Sequence, residues 1–252
     1  MAQSPLIVAH RGASHDAPEN TLPAFRLAWE KGSDAIEGDF HLTRDQKVVC
    51  IHDRSTGKYC RKNLVVKKST LKELKKLDIG SYKDLKYAGT RVPTLNEVLG
   101  TVPAGKKIYI EVKCGPEIIP FLKRSISESG LHADQVIIIA FDRNVIQRTK
   151  KSLPGHKAFW LTSFRNTGGQ TSPGTQEALE ILHRIRADGL STSSNGLTRG
   201  YLKSIRDAGF EHHVWTVNDP AQARKMKNWG AQSITTDRPA LIRKALLPKN
   251  HP

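Results

Sequence analysis

The chain has few cysteines: three in 252 residues, Cys50, Cys60 and Cys114. An odd count without CxxC spacing builds neither a disulfide framework nor a zinc knuckle. Aromatic residues are scarce, at 6%, which argues against an aromatic-rich loop made to enter a lipid phase. No run of about 18 apolar residues occurs, so no transmembrane helix is expected. The start, Met1-Ala2-Gln3-Ser4-Pro5, lacks a basic region followed by an apolar stretch and does not read as a signal peptide. With its unpaired cysteines, the chain leans toward a cytoplasmic location, although an exported chain given a new start Met would look the same. No GxGxxG loop follows the first apolar run, which removes the main signature of a dinucleotide-binding sheet.

Acidic residues are outnumbered, 24 against 40 Lys and Arg, for a formal net charge of +16. That excess invites a polyanionic partner. No C2H2 spacing or RNP-like aromatic strand accompanies it. The basic residues fall in separate groups: Arg61 to Lys76, Arg143 to Lys157, and Arg243 to Lys249. Spread in this way, they read as solvated faces. The expectation is no specific nucleic acid partner and at most peripheral membrane contact. No oligomer interface can be located.

What is present is a rhythm. Apolar runs at Leu6–His10, Asp34–Asp39 with Val48–His52, Lys107–Val112, Val136–Phe141, Ala158–Thr162, Ala187–Ser191, His213–Val217 and Gln232–Thr236 suit strands buried on both faces. Amphipathic stretches lie between them: Leu22–Lys31, Pro116–Ser129, Arg143–Lys151, Thr175–Arg186, Thr198–Ala208, Pro220–Trp229 and Pro239–Leu246. Such alternation makes either a doubly wound sheet or a (β/α)8 barrel. Roughly eight strands in 252 residues match a TIM barrel in one domain. Residues 53–94 break the rhythm, with scattered glycines and a lysine-rich helix near Ser69–Leu77. They read as a small insertion after an early strand, placed to wall the catalytic end.

Chemistry gathers at the strand ends. The first strand closes on His10-Arg11-Gly12. The next carries Glu37 and Asp39, which alternation puts on one face together with His41. Paired carboxylates repel unless they share a proton or hold a cation, and an all-oxygen pair suits Mg²⁺ or Ca²⁺ better than zinc. His52-Asp53 ends the following run, and Glu111 and Lys113 alternate at the end of the one after. Two histidines, three carboxylates, an arginine and a lysine at strand ends read as metal-assisted phosphoryl chemistry. Arginine's planar fork matches phosphate oxygens, and two histidines can act as base and acid on either side of phosphorus.

The stretches His10-Arg11-Gly12-Ala13, Pro18-Glu19-Asn20-Thr21, Glu37-Gly38-Asp39, His52-Asp53, Glu111-Val112-Lys113, Val214-Trp215-Thr216-Val217-Asn218 and Thr236-Asp237-Arg238-Pro239 resemble, in order and spacing, the glycerophosphodiester phosphodiesterase family. The resemblance covers nearly the whole chain. It implies a TIM barrel with one divalent ion, Mg²⁺ or Ca²⁺, on Glu37, Asp39 and Glu111. It implies His10 and His52 as the acid–base pair, Arg11 and Lys113 on the phosphate, and Trp215 lining the glycerol end. Glu19 and Asn20 brace the metal site or cap the first helix, with capping ranked slightly ahead. The implied reaction is hydrolysis of a small-molecule glycerophosphodiester to glycerol 3-phosphate and an alcohol. A lysophospholipase D or sphingomyelinase D-like enzyme is the nearest alternative, and a basic nucleic-acid-binding module a more distant one.

Overall fold

Eight parallel strands close into a ring in this computed structural model, which describes residues 4–167 and 170–247. They are β1 (Leu6–Ala9), β2 (Ala35–Leu42), β3 (Lys107–Val112), β4 (Val136–Ala140), β5 (Lys157–Thr162), β6 (Gly189–Ser193), β7 (Glu211–Trp215) and β8 (Ser233–Thr236). Neighbours in the ring are neighbours in this order, and β1 pairs with both β2 and β8 to complete it. The outer layer is α1 (Leu22–Glu30), α2 (Leu95–Leu99), α3 (Ile119–Glu128), α4 (Arg143–Ser152), α5 (Thr175–Ile185), α6 (Arg199–Asp207), α7 (Pro220–Trp229) and α8 (Pro239–Leu246). No helix among the described residues is long and apolar enough to cross a membrane.

Local chemistry sets these elements. The Val136–Ala140 run is buried at every position, as a strand sandwiched between barrel interior and helices requires. Thr21 caps α1 by accepting from the Ala24 amide, and Asp142, Thr198 and Asp219 cap α4, α6 and α7 in the same way. Each satisfies a backbone donor that the first helical turn leaves open. Side-chain alternation divides the apolar residues into two cores. A large cluster including Ile36, Ile108, Ile110, Ile138 and Leu190 lies between strands and helices. A small one, including Val8, Tyr109, Ile137, Ile139, Phe159 and Leu161, fills the barrel interior.

Two strands sit two residues from where apolar runs place them: Gly189–Ser193 rather than Ala187–Ser191, and Glu211–Trp215 rather than His213–Val217. For the second of these the reason is that β7 buries polar residues. His212 and His213 are 0% and 3% exposed, so hydrophobicity alone misses the strand's start. A short antiparallel hairpin, Arg165–Thr167 with Gln170–Ser172, follows β5 and has no counterpart in the apolar pattern.

Beyond Asp39, β2 continues to Leu42 and the chain folds back as an antiparallel strand, Val48–Cys50, with Phe40 opposite Cys50. The segment that follows has its own core of Val49, Ile51, Tyr59, Val66, Leu74, Leu77, Ile79 and Val92. Its helix is one turn, Leu71–Leu74, opened by a capping box of Thr70 and Glu73. It is shorter than Ser69–Leu77, because Leu77 and Ile79 turn inward to complete that core.

Candidate active site

The first loop is built around a backbone reversal. Arg11 and Gly12 both have positive φ, 55° and 82°. A Cβ on Gly12 would lie 2.6 Å from the Ala24 carbonyl carbon, so only glycine fits where the loop crosses α1. The reversal aims the Arg11 amide at Glu37 Oε2, 2.9 Å away. The guanidinium Nε makes an ion pair with Asp39 Oδ2 at 3.2 Å, and Nη1 donates to Glu19 Oε1 at 3.1 Å.

Glu37, Asp39 and Glu111 meet inside the mouth, each offering an oxygen within 4.8 Å of the other two. Register explains it: Asp39 lies opposite Glu111 across the β2–β3 ladder. Lys113 Nζ donates to Glu111 Oε1 at 2.7 Å and lies 3.5 Å from Asp39 Oδ1. Arg11 and Lys113 thus offset two of three buried negative charges. Burial, with Asp39 and Glu111 nearby, pushes the Glu37 carboxyl well above the usual carboxylate range. Burial acts on Asp39 in the same sense, but Arg11 and Lys113 overcome it and hold that carboxyl low. Glu37 Oε1 has no hydrogen-bond partner among the described residues. An orphaned buried oxygen beside two more carboxylates, with one charge unbalanced, fits a hard divalent cation.

The two histidines reach this cluster by different routes. His10 continues from β1, and its Nδ1 lies 2.7 Å from Asp237 Oδ1, just past β8. Asp237 also accepts from Ser14 Oγ at 3.0 Å and Asn218 Nδ2 at 2.5 Å. Burial would raise the Asp237 carboxyl, but these bonds, His10 first, keep it well below the ordinary range. His52 arrives on the antiparallel return, which the Ile51 amide ties to the Asp39 carbonyl at 2.8 Å. Its Nδ1 lies 2.7 Å from Asp53 Oδ1. His41 stays out of the carboxylate cluster: its Nε2 donates to the His52 carbonyl at 3.1 Å.

Both histidines, Glu37, Glu111 and Lys113 line a cavity of about 170 Å³ that Trp215 closes on one side. Trp215 meets Phe141 edge to face, with ring centroids 5.7 Å apart. The floor is polar for a barrel, where branched aliphatic layers are usual. His213 stacks on Phe159 at 4.2 Å, and its Nδ1 lies 2.8 Å from Ser233 Oγ. His10 and Arg11 also border an open groove of about 740 Å³ toward Ser14, Asn218 and Leu241.

All eight residues singled out from the sequence, His10, His52, Arg11, Lys113, Trp215, Glu37, Asp39 and Glu111, therefore border or build one site. Arg11 and Lys113 are turned toward carboxylates here. Asn20 braces Asp39: its Oδ1 accepts from the Asp39 amide at 3.0 Å and its Nδ2 donates to Asp39 Oδ2 at 2.7 Å. Glu19 likewise braces, accepting from Lys58 Nζ at 2.7 Å and Tyr59 Oη at 2.8 Å as well as from Arg11. Helix capping belongs to Thr21 alone. Asp53, Asp237, Asn218, Lys58 and Tyr59 are partners that sequence reasoning left without roles. Of these, Asp53 directly follows His52, and Asn218 and Asp237 stand in stretches that carry the family resemblance, whereas Lys58 and Tyr59 had no local signal.

Residues 10–241 match the glycerophosphoryl diester phosphodiesterase family. A glycerophosphodiester phosphodiesterase of Caldanaerobacter subterraneus is 32% identical over 244 residues, 94% of this chain and 96% of that one. A phosphodiesterase of Oleispira antarctica, solved in complex with its product sn-glycerol-3-phosphate, superposes with a TM-score of 0.87 at 26% identity, covering 96% of this chain and 97% of the other. A Thermotoga maritima glycerophosphodiester phosphodiesterase gives 0.78 at 26% identity, over 97% and 99%. A match running from the first histidine past Asp237, joined to the same barrel, leaves one conclusion: the chain belongs to the glycerophosphoryl diester phosphodiesterase family.

Proposed function

We propose that the enzyme hydrolyses glycerophosphodiesters to glycerol 3-phosphate and an alcohol, with one Mg²⁺ or Ca²⁺ on Glu37, Asp39 and Glu111. One observation carries this reading. Two histidines, each held at Nδ1 by a carboxylate 2.7 Å away, border the same cavity as Glu37 and Glu111. Such a bond fixes the neutral ring with its proton on Nδ1 and leaves Nε2 for proton transfer.

A bound cation would polarise a phosphoryl oxygen and offset the charge growing there. The chain's own groups do the rest. Arg11 and Lys113 border the cavity as fixed positive charges and bind the remaining phosphate oxygens. One imidazole takes a proton from the attacking oxygen as the new P–O bond forms. That oxygen is either that of water, which gives glycerol 3-phosphate at once, or the glycerol 2-hydroxyl, whose cyclic phosphate a water molecule then opens. The other, protonated, gives its proton to the departing alcohol oxygen as the old bond breaks. Asp53 and Asp237 stabilise the imidazolium in each case. Trp215 and Phe141 give the glycerol end an apolar wall.

The decisive experiment is turnover of glycerophosphocholine, with lysophosphatidylcholine as comparison. EDTA should abolish glycerophosphocholine turnover, and Mg²⁺ or Ca²⁺ should restore it. Full activity in EDTA would refute the metal assignment, and a clear preference for the lysolipid would favour the lysophospholipase D reading.

A further inference from the structure

The positive charge is concentrated at one end of the molecule. Residues 53–94 hold twelve Lys or Arg against four Asp or Glu, so this sixth of the chain carries +8 of the net +16. Only Lys58, Lys75 and Lys86 of the twelve lie within ion-pair distance of a carboxylate among the described residues.

Exposed apolar side chains gather at the same end. Six large ones are exposed among the described residues: Val65, Tyr82, Leu85, Phe141, Leu241 and Leu247. Five of them ring the catalytic mouth. Leu85, 81% exposed, begins a turn pinned to the loop after β1, where Lys83 Nζ donates to the Ser14 carbonyl and Tyr87 Oη to the Asp16 carbonyl, both at 2.9 Å. Tyr82 packs edge-on against Tyr59. Leu241 borders the groove beside His10, and Phe141 leans on Trp215. Val65 bridges to Ser55, three residues past His52. Leu247 lies at the far end of α8.

We infer that this face docks on an anionic lipid bilayer, with Leu85 entering the interface and the insertion lysines meeting the headgroups. Water disfavours a protruding leucine, and a bilayer surface offers both apolar depth and negative charge. A nucleic acid's phosphates would meet the lysines but leave Leu85 wet. Docking sets the mouth against the membrane, where phosphodiesters derived from lipids arise. That consequence rests on the proposed phosphodiesterase activity, whereas the docking does not.

Sedimentation with vesicles tests it, using phosphatidylcholine alone or with about one third phosphatidylglycerol. The wild type should bind the anionic vesicles and not the neutral ones. Leu85→Glu should weaken binding about tenfold or more. Lys67→Glu/Lys68→Glu should do at least as much, since each lysine near such a surface is worth about fivefold. Arg148→Glu/Lys151→Glu, on the outer face of α4, matches that charge change and should alter binding less than about twofold. Failure to bind anionic vesicles overturns the inference. So does an equal loss in the α4 pair, which would mean diffuse attraction, or unchanged binding by Leu85→Glu with displacement by duplex DNA, which would mean a nucleic acid surface. Leu85→Glu should turn over soluble glycerophosphocholine like the wild type. If no form of the protein turns it over, the activity assignment fails while the docking is still judged by sedimentation.

Discussion

His10 and His52 hold matching bonds to carboxylates and stand on very different supports. His10 belongs to the barrel, and its partner Asp237 is fixed by Ser14 and Asn218 and lies at the opposite end of the sequence. His52 stands outside the eight-stranded ring, two residues past a return strand of three residues. Its partner is its own neighbour, Asp53, whose side chain is 43% exposed. A half-buried, triply bonded carboxylate, 29% exposed, orients a ring more firmly than a more exposed, adjacent one, because it is tied from three sides and water competes less for it. The two sides of the site therefore share one pairing of imidazole and carboxylate and differ in how firmly it is held.

The largest expected effects set the baseline. His10→Ala and His52→Ala should each lower kcat by about 10³-fold or more with the fold intact by circular dichroism. Near-normal turnover in either variant would remove that histidine from the reaction. The comparison itself is tested one step back. Asp237→Asn should cost about 10²-fold in kcat, since an amide cannot hold the ring with its proton on Nδ1, and Asp53→Asn only about tenfold. Equal losses would mean that the extra bonds to Asp237 confer no added orientation. Tyr59→Phe loosens Glu19, and through it Arg11, without touching the phosphate. Its expected signature is a rise in KM of about threefold with kcat nearly unchanged.

Asp237 also predicts a small pH effect on stability. Its native carboxyl sits below the ordinary value. Its contribution is therefore complete above the ordinary carboxylate range, near pH 4, and fades as pH falls toward the native value. Thermal melts of the wild type should lose about 1 kcal/mol from this source in acid, allowing for solvent at a partly open site. Asp237→Asn should flatten that slope.

The same contrast explains what the sequence could reveal. Barrel strands were legible because burial on both faces writes continuous apolar runs such as Val136-Ile137-Ile138-Ile139. β7 was displaced because His213 bonds Glu211 and Ser233, and His212 bonds Thr192, inside the fold, which no hydrophobic count registers. Glu37 and Asp39 were legible as a pair because strand period alone puts them on one face. The bracing of Asp39 by Asn20 was not, since its position just before a helix favours a cap. The link from Asp237 to His10 spans 227 residues, and nothing local to either residue announces it.

The bond between His10 and Asp237 has a kinetic consequence. It sits on the seam where β1 meets β8, the contact that joins the two ends of the chain. Contacts of such wide sequence separation form at a high entropic cost and tend to form late. A refolding chain with seven strands assembled would already bring Glu37, Asp39 and Glu111 together. It would still leave His10 unoriented. Recovery of turnover after dilution from denaturant should then lag behind the return of helical signal, timing the joining of the chain's two ends.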